Sequence, residues 1–348
     1  MKKVDTLIVG LGIAGLAYAE QLRKKERSFC VIDEGQKGST LQAAGIFNPT
    51  VLKRYTLSWQ GLDFHKTALP FYEQLDADLR LKSLQYFPIL KLFPESTDYN
   101  HWVTAADTHG LDQFLDPHLY KDQPAGVLAP FGFGKVKLCG RLNTPLLLST
   151  YAKRLQKEER LLLEKVDHSL FEVNDQVVRY KNIEAQRVVF CEGYKMKENP
   201  FFGDLPLVGS KGEILIIKAQ QLKLNAILKV PIFIVPLGND RYWAGATFNR
   251  TDKSTVPSEE GRIWLETKLA KMIGVPYTVE QHVAQIRPTV QDRRPLLGQH
   301  PQYRSLFVLN GFGSRGVLTA PTASKWLFDY IEEGQPLPEE VNFRRFLK

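Results

Sequence analysis

The sequence predicts a mixed α/β fold that combines a parallel sheet with a mainly antiparallel sheet. A strand, a glycine turn, a helix and a second strand follow one another over residues 4–35. A buried-strand pattern at 185–193 could rejoin the sheet that these strands begin. Strand patterns also dominate residues 212–288, with one helical stretch around 258–273. Helices alternating with strands favour a parallel sheet, and successive strands favour an antiparallel one.

The first glycine turn, "VGLGIAGL", has the spacing of a dinucleotide-binding fingerprint. Gly10 allows a tight turn after the strand, and Gly12 lets a pyrophosphate approach backbone N–H groups. Ala14 opens the helix with a small side chain, and Gly15 lets this helix pack close to the sheet. The helix N-terminus then offers its positive dipole to the phosphates. Because the flanking elements are in register, we predict a dinucleotide site here.

The segment after the second strand bears on which dinucleotide is bound. Asp33 or the adjacent Glu34 would accept hydrogen bonds from a ribose hydroxyl. The loop "GQKGSTLQAAGIFNPTVLKRY" follows, and its Ala44 and Gly45 would let the backbone come near a long ligand. This pattern favours FAD over NAD.

The length of 348 residues favours two domains over a single core. The strand patterns divide the chain into interleaved pieces without a low-complexity linker. We predict a discontinuous cofactor domain at 1–75, 135–200 and 290–348. A second domain, for substrate, is predicted at 76–134 and 201–289.

Composition limits the classes of partner. The net charge of +8 favours anionic partners such as substrate, cofactor phosphates or nucleic acid, although a solvated basic surface is the plainer explanation. No apolar run approaches the ~18–20 residues of a membrane span, so we expect no membrane segment. The three cysteines are far apart and have no metal-ligand spacing. We therefore expect a cytoplasmic protein with reduced thiols and no metal.

Five blocks of the sequence, in order, resemble the D-amino-acid oxidase and glycine oxidase family of FAD flavoproteins. They are "VGLGIAGL", "GSTLQAAGIFNP", "IVPLGNDRYWAGATF", "IRPTVQDRRPLLG" and "LFVLNGFGSRGVLTAP", and they span essentially the whole chain. Within the family, "GSRG" followed by "AP", and "GIFNP…FYEQL", are most similar to the flavin half of a bifunctional bacterial enzyme that modifies the tRNA wobble uridine.

The resemblance implies a fold with a Rossmann-like FAD-binding domain and an inserted substrate domain. It also implies that the C-terminal glycine turn approaches the pyrimidine edge of the flavin, where backbone N–H groups from Gly313 to Val317 stabilise negative charge. No cysteine lies near Arg287 in the sequence, so we expect non-covalent FAD. The residues predicted to contact FAD are Gly10, Gly12, Ala14, Gly15, Asp33, Glu34, Ala44, Gly45, Val166, Gly193, Gly311, Gly313, Ser314, Gly316 and Val317.

Two arginines are the predicted catalytic-site cations. Arg287 matches the family arginine that grips the substrate carboxylate, and the alternative is a structural arginine paired with Asp292 or Glu280. Arg315 is a second cation that would serve either the carboxylate or the flavin. It stands one residue later than the corresponding arginine of glycine oxidases.

Three aromatic residues are predicted in the substrate pocket. Phe233 occupies a place where the small-substrate oxidases tend to have a tyrosine that also holds the carboxylate, which is a departure from simple glycine or D-amino-acid oxidation. Phe248 and Tyr242 either line the same pocket or only pack the sheet.

The function implied is FAD-dependent oxidation of the C–N bond of an amine or amino acid, by hydride transfer to flavin. A glycine-like or N-alkylglycine group is the expected substrate. The alternative is the same chemistry on a carboxymethylaminomethyl group of tRNA wobble uridine, which the "GSRG" block and the positive charge favour. A third class is a non-catalytic flavoprotein.

Overall fold

A computed structural model describes residues 1–35 and 38–347 and confirms the mixed α/β fold. Gln36 and Lys37, which belong to the loop expected to approach the ligand, lie outside the described residues. Two eight-stranded sheets form the framework, and strands are numbered in chain order. The strands of the first sheet are β1 (Lys2–Val9), β2 (Phe29–Asp33), β11 (Leu161–Leu163), β12 (Phe171–Val173), β13 (Val178–Tyr180), β14 (Ile183–Phe190), β20 (Leu296–Gln299) and β21 (Leu306–Asn310).

The centre of the first sheet is parallel, as the N-terminal pattern predicts. β1 pairs in parallel with β2 on one side and with β14 on the other, and β14 pairs in parallel with β21. Val9 is in register with both Ile32 and Phe190. The carboxyl ends of these strands therefore meet at one edge of the sheet, which is where ligands bind in such folds.

The second sheet is antiparallel except for one parallel pair, β16 with β7. Its order is β19-β15-β18-β17-β16-β7-β9-β8. The strands are β7 (Ile89–Leu92), β8 (Leu115–Tyr120), β9 (Phe133–Val136), β15 (Ser210–Lys218), β16 (Ile227–Lys229), β17 (Phe233–Gly238), β18 (Arg241–Gly245) and β19 (Thr278–Arg287).

Short strands and helices complete the architecture. The short strands are β3 (Ile46–Phe47), β4 (Thr50–Val51), β5 (Thr56–Leu57), β6 (Leu84–Tyr86) and β10 (Gly140–Leu142). The α-helices are α1 (Ile13–Lys24), α2 (Ser39–Gln42), α3 (Gly61–Leu79), α4 (Asp98–Ala106), α5 (Thr144–Lys157), α6 (Glu259–Leu269) and α7 (Gly316–Glu332). Single 3₁₀ turns lie at His168–Leu170, Gly193–Glu198 and Phe343–Phe346.

Each sheet buries both of its faces. Helices α1, α3, α5 and α7 cover one face of the first sheet, and the 3₁₀ turns at Gly193–Glu198 and Phe343–Phe346 help to cover the other. Helix α6 covers one face of the second sheet, while α4 packs against part of its opposite face. This opposite face, with the carboxyl ends of the first sheet, borders the site described below.

The sequence does not predict helix α4, because residues 81–134 have mostly strand and turn patterns. Trp102, Ala105 and Ala106 are buried at helical spacing within it. The Trp102 ring lies against the backbone of β9, where a Cβ on Gly134 would come within 2.3 Å of the ring. Tertiary packing of one tryptophan therefore fixes a helix with few other apolar residues.

The strands of the first sheet come from 2–33, 161–190 and 296–310, and those of the second from 89–136 and 210–287. Membership of a sheet does not show that two parts of a chain fold as separate units. The domain division and its boundaries therefore stay a prediction. No helix in the described residues is long and apolar enough to cross a bilayer.

Candidate cofactor and substrate site

A cavity of about 1710 Å³ lies between the two sheets. Ordinary small-molecule pockets measure roughly 300–1,000 Å³, so this one has room for a dinucleotide and a substrate together. The carboxyl ends of β1 and β2 line one part of it, and β15 to β19 line another. The C-terminal turn before α7 closes it from a third direction.

The three glycines of the first turn have three different surroundings. A Cβ on Gly10, whose φ is +99°, would lie 2.7 Å from the Cys191 carbonyl oxygen. A Cβ on Gly15 would lie 1.9 Å from the Gly10 carbonyl oxygen, so Gly15 serves the contact of α1 with the turn. A Cβ on Gly12 would approach only the Thr40 hydroxyl, at 3.4 Å. Gly12 therefore keeps cavity space open at the N-terminus of α1, which fits a pyrophosphate.

Asp33 closes the glycine turn from the neighbouring strand. Its Oδ2 accepts the Leu11 N–H at 2.6 Å, and its Oδ1 accepts the Gly35 N–H at 2.8 Å. Burial raises the pKa of Asp33, although these hydrogen bonds act in the opposite direction. Glu34 also lines the cavity and forms an ion pair with Lys195. Both acids predicted for a ribose are thus at the cavity, and the choice between them stays open.

The loop after β2 is held at the cavity by side chains from other elements. The Trp243 indole Nε1 donates to the Gln42 carbonyl at 2.9 Å, and the Thr144 hydroxyl donates to the Thr40 carbonyl at 2.7 Å. Gly45 is needed here for a different reason from the predicted one. Its φ is +72°, and a Cβ would lie 1.9 Å from the Leu142 carbonyl oxygen, so the close approach is to β10.

The C-terminal turn is tied to the end of β19. The Gly313 N–H donates to the Pro288 carbonyl at 3.0 Å, and the Arg315 N–H donates to the Phe312 carbonyl at 3.2 Å. Two of the five N–H groups predicted to face the flavin are therefore already bonded to backbone carbonyl oxygens. Gly316 and Val317 begin α7, where N–H groups have no acceptor inside the helix. These two are the better placed to meet a negatively charged ligand atom.

The glycines of this turn also differ in purpose. A Cβ on Gly311 would lie 2.7 Å from the Val290 side chain, and one on Gly316 would lie 3.0 Å from the Ile13 side chain. Gly313 has its nearest neighbour at 3.8 Å, and its φ of +55° favours glycine. All three glycines line the cavity, but a Cβ on Gly311 or Gly316 would clash with packed side chains, whereas one on Gly313 would not.

Arg287 lies at the end of β19 and lines the cavity as a cation without a carboxylate partner in the described part of the chain. Its two terminal nitrogens donate to the Thr247 carbonyl at 3.3 and 3.4 Å. Asp292 instead pairs with Arg345, and Glu280 pairs with Arg241. The alternative pairing of Arg287 with Asp292 or Glu280 is therefore wrong.

The guanidinium of Arg287 lies against the backbone of Gly212 on β15. A Cβ on Gly212 would come within 2.1 Å of Nη2. Burial lowers the pKa of Arg287, yet an arginine keeps its charge at any ordinary pH. The sequence does not single out Gly212, because it does not reveal that the Arg287 side chain lies against Gly212 across the sheet.

Arg315 is the second cation of this part of the cavity. Its Nη1 donates to the Asn48 carbonyl at 2.8 Å and its Nη2 to the Thr50 carbonyl at 3.3 Å. Burial also lowers the pKa of this arginine. Arg315 therefore links the C-terminal turn to the loop after β2, while its charge faces the cavity without a carboxylate within the described segments.

Of the aromatic predictions, two residues reach the cavity and one does not. Phe233 and Phe248 line it, and Phe248 is 60% exposed at its rim. Tyr242 points to the other face of β18, where its hydroxyl donates to the Leu222 carbonyl within the core under α6. The pocket assignment of Tyr242 is wrong. Side chains alternate along a strand, so the neighbouring Trp243 lines the cavity instead.

All other predicted cofactor residues except Gly15 border the same cavity. The cavity lining carries charges of both signs. The acidic lining residues are Asp33, Glu34, Glu164, Asp167, Glu192 and Glu198, and Lys165 and Lys195 line the cavity within the same segments. We use the name cationic region for the other basic side chains that line the cavity, which are Arg54, Lys229, Arg287, Arg293, Arg294 and Arg315. No cluster of metal-ligating side chains occurs among residues 1–35 and 38–347.

Comparison with protein families gives a match to the model described as "FAD dependent oxidoreductase", over residues 5–330. A glycine oxidase of Bacillus licheniformis is 23% identical over 97% of this chain and 95% of its own length. The tRNA 5-methylaminomethyl-2-thiouridine biosynthesis bifunctional protein MnmC of Legionella pneumophila is 24% identical over 98% of this chain. The chain spans 57% of the length of that bifunctional relative.

Among solved structures, the glycine oxidase of Geobacillus kaustophilus superposes with a TM-score of 0.80. It shares 21% sequence identity, and the alignment covers 99% of this chain and 98% of that one. The two chains therefore share a fold over their whole length.

Proposed function

The chain belongs to the FAD-dependent oxidoreductase family, and we propose that it oxidises the C–N bond of an amine or amino acid whose carboxylate is held by Arg287. The observation that carries this proposal is the environment of the Arg287 guanidinium. It is fixed against Gly212, it lines the cavity, and Thr247 supplies only a carbonyl oxygen to it. A buried guanidinium needs an anion, and a carboxylate matches its two parallel donors.

When bound, FAD supplies the hydride acceptor for such an oxidation. The residues of the chain do the binding and the positioning. Gly12 leaves space for the pyrophosphate at the N-terminus of α1, and the N–H groups of Gly316 and Val317 offer donors with the α7 dipole behind them. Arg287 fixes the substrate through its carboxylate, so that the carbon next to the nitrogen has one orientation. No side chain is assigned as a base, because a neutral amine can donate without one.

Phe233 bears on how the carboxylate of the substrate is held. It lines the cavity without a hydroxyl, so it offers no hydrogen bond to a carboxylate. The carboxylate must then be held by cations that line the cavity, among them Arg287 and Arg315. We propose a glycine-like or N-alkylglycine group as the reacting part, with further substituents accommodated by the cavity.

A second candidate is the same oxidation on a group carried by tRNA. The cationic region and the net charge of +8 favour an anionic macromolecule, and a bifunctional tRNA-modifying protein is among the relatives. Neutralising phosphates makes such binding strongly salt-dependent.

The test is anaerobic bleaching of the oxidised flavin band by a panel of N-alkylglycines, free amino acids and modified tRNA. Each acid is matched with the amine that lacks its carboxylate. We expect an N-alkylglycine to reduce the flavin much faster than the matched amine. Bleaching by tRNA alone, with affinity falling steeply between low and moderate salt, would select the second candidate. No bleaching by any member would contradict both.

A further inference from the structure

A row of side chains crosses the cavity face of the second sheet and ends in lysines. The strand register pairs Gly245 with Phe233, Phe233 with Lys229, and Lys229 with Lys91. Because residues in register lie side by side on one face, Lys229 and Lys91 are neighbours. Lys229 lines the cavity and Lys91 is 8% exposed next to it.

These lysines have few partners. The Lys229 Nζ lies 4.4 Å from the centroid of the Phe233 ring and donates to the Pro231 carbonyl at 3.3 Å. Lys91 donates to the Leu92 carbonyl at 3.2 Å. Neither lysine forms an ion pair with a carboxylate in the part of the chain that the structure describes. Asp98 is the one acid whose charge acts on Lys91.

Burying like charges together carries an electrostatic cost. Burial, together with the charges of Lys91 and Lys53, lowers the pKa of Lys229 to about 8. Like charges brought together in a partly buried place repel, and burial removes the water that would screen them. An anion beside the Lys229 and Lys91 ammonium groups would relieve both effects, whereas the hydrogen bonds of these lysines to carbonyl oxygens bring no negative charge.

We propose that Lys229 and Lys91 form a second anion subsite, distinct from Arg287, that binds a phosphate or carboxylate at the far end of the substrate. The part of this inference that concerns the substrate rests on the proposed function. Of the two lysines, Lys229 lines the cavity directly, and Lys91 is its neighbour across the parallel strand pair.

The spacing of the two subsites limits the substrate. The Arg287 guanidinium lies over Gly212 on β15, and the Lys229 ammonium lies over Phe233 on β17. One strand, β18, separates these two strands, so they are about 10 Å apart at ~4.8 Å per strand. Gly212 and the residue paired with Gly245, Ile214, are offset along β15 as well. A compact dicarboxylic acid is too short, so the second anion must lie several bonds beyond the first.

Calorimetric titration of the FAD-loaded protein with inorganic phosphate, at low ionic strength, tests the subsite directly. Lys229→Gln should weaken phosphate binding at least ten-fold, and Lys53→Gln, at an exposed position, should weaken it several-fold without disturbing the fold. Lys271→Gln, at another exposed lysine, is the control and should change nothing. Phosphate binding that is absent from the wild type, or unchanged in Lys229→Gln, would overturn the proposal.

Two further arms distinguish the source of the anion. An N-alkylglycine with a terminal phosphonate is compared with its uncharged analogue of equal length, in anaerobic flavin reduction. For a small substrate, the phosphonate should have at least ten-fold lower apparent Kd, and Lys229→Gln should abolish the difference. For an RNA phosphate, that difference is absent, and a single-stranded oligonucleotide loses affinity and salt dependence in Lys229→Gln.

The phosphate titration does not depend on turnover. If no amine reduces the flavin while Lys229→Gln still loses phosphate, the proposed function fails and the subsite stands. If the phosphonate compound reduces the flavin and neither phosphate nor phosphonate binding responds to Lys229, the proposed function stands and the subsite fails.

Discussion

At the scale of single residues, one sequence motif contains glycines with separate duties. Gly15 allows α1 to approach the turn, whereas Gly12 keeps open a space that the ligand is expected to fill. The sequence alone predicts both duties, because the spacing of the motif carries them. It does not predict Gly212, since the contact with Arg287 arises from pairing between β15 and β19.

Gly12→Val should lose FAD while the fold is kept. The first side-chain atom meets only the Thr40 hydroxyl at 3.4 Å, but the side chain enters the phosphate space. Gly15→Val is the contrasting variant, since its Cβ would lie 1.9 Å from a carbonyl oxygen and should impair folding. Flavin content and thermal unfolding of both proteins measure this. Normal FAD occupancy in Gly12→Val would mean that the motif is only a packing turn.

Gly212→Ala should weaken binding of the substrate carboxylate by Arg287, although residue 287 itself is unchanged. The added methyl group would lie 2.1 Å from Nη2, so the guanidinium must move away. We expect a raised apparent Kd for the carboxylate substrate in anaerobic reduction, with FAD content unchanged. Gly274→Ala, where the nearest atom is a flexible leucine side chain at 3.0 Å, serves as control. Equal substrate affinity in Gly212→Ala and wild type would contradict the placement of Arg287.

At the scale of elements, alternation along β18 decides which aromatic residue reaches the cavity. The sequence places a strand there but leaves its two faces undistinguished, because Tyr242 and Trp243 are both large and apolar. In the structure, Tyr242 lies on the face of β18 that packs against α6, and Trp243 lies on the face towards the loop after β2. Helix α4 escapes prediction for a related reason, since its stability comes from a contact with β9 that is distant in sequence.

Trp243→Phe should weaken FAD binding about five-fold. The substitution keeps an aromatic ring but removes the hydrogen bond to the Gln42 carbonyl, a loss of about 1 kcal/mol at the loop that borders the cavity. Tyr242→Phe removes the hydrogen bond to the Leu222 carbonyl on the opposite face of the same strand. This control should lower the thermal midpoint and leave FAD affinity unchanged. Equal effects of the two variants on FAD affinity, measured by fluorescence titration, would argue against the anchoring of the loop by Trp243.

At the scale of the whole molecule, basic side chains from distant parts of the chain meet at one cavity. The net charge of +8 is evident from the sequence, but the presence of six of these basic residues in the cavity lining is not. The basic residues concerned come from stretches as far apart as Arg54 and Arg315, so only the folded chain brings them together. The order of the five sequence blocks, in contrast, predicts the overall architecture well, since each block carries its own strand and turn.

The flavin should be released from the purified protein by acid or heat. Cys191 is the one cysteine that borders the cavity among the described residues, and burial raises the pKa of its thiol, which opposes the thiolate needed for a covalent bond. Free FAD in the supernatant after acid precipitation measures this. Yellow colour that stays with the precipitate would show a covalent link.

The central claim is that Arg287 holds a substrate carboxylate for oxidation by bound FAD. Anaerobic reduction of the flavin by the best N-alkylglycine, in wild type, Arg287→Lys and Arg287→Ala, tests it most directly. Removing one partner of such a pair costs about 2–5 kcal/mol, so Arg287→Ala should be roughly thirty- to several-thousand-fold less efficient at ~1.4 kcal/mol per decade. Arg287→Lys should recover only part, because an ammonium lacks the two parallel donors. FAD content should stay the same in all three, and the matched amine without a carboxylate should react equally with them. Reduction of Arg287→Ala by the N-alkylglycine at wild-type rate and affinity would contradict the claim and transfer the role to Arg315.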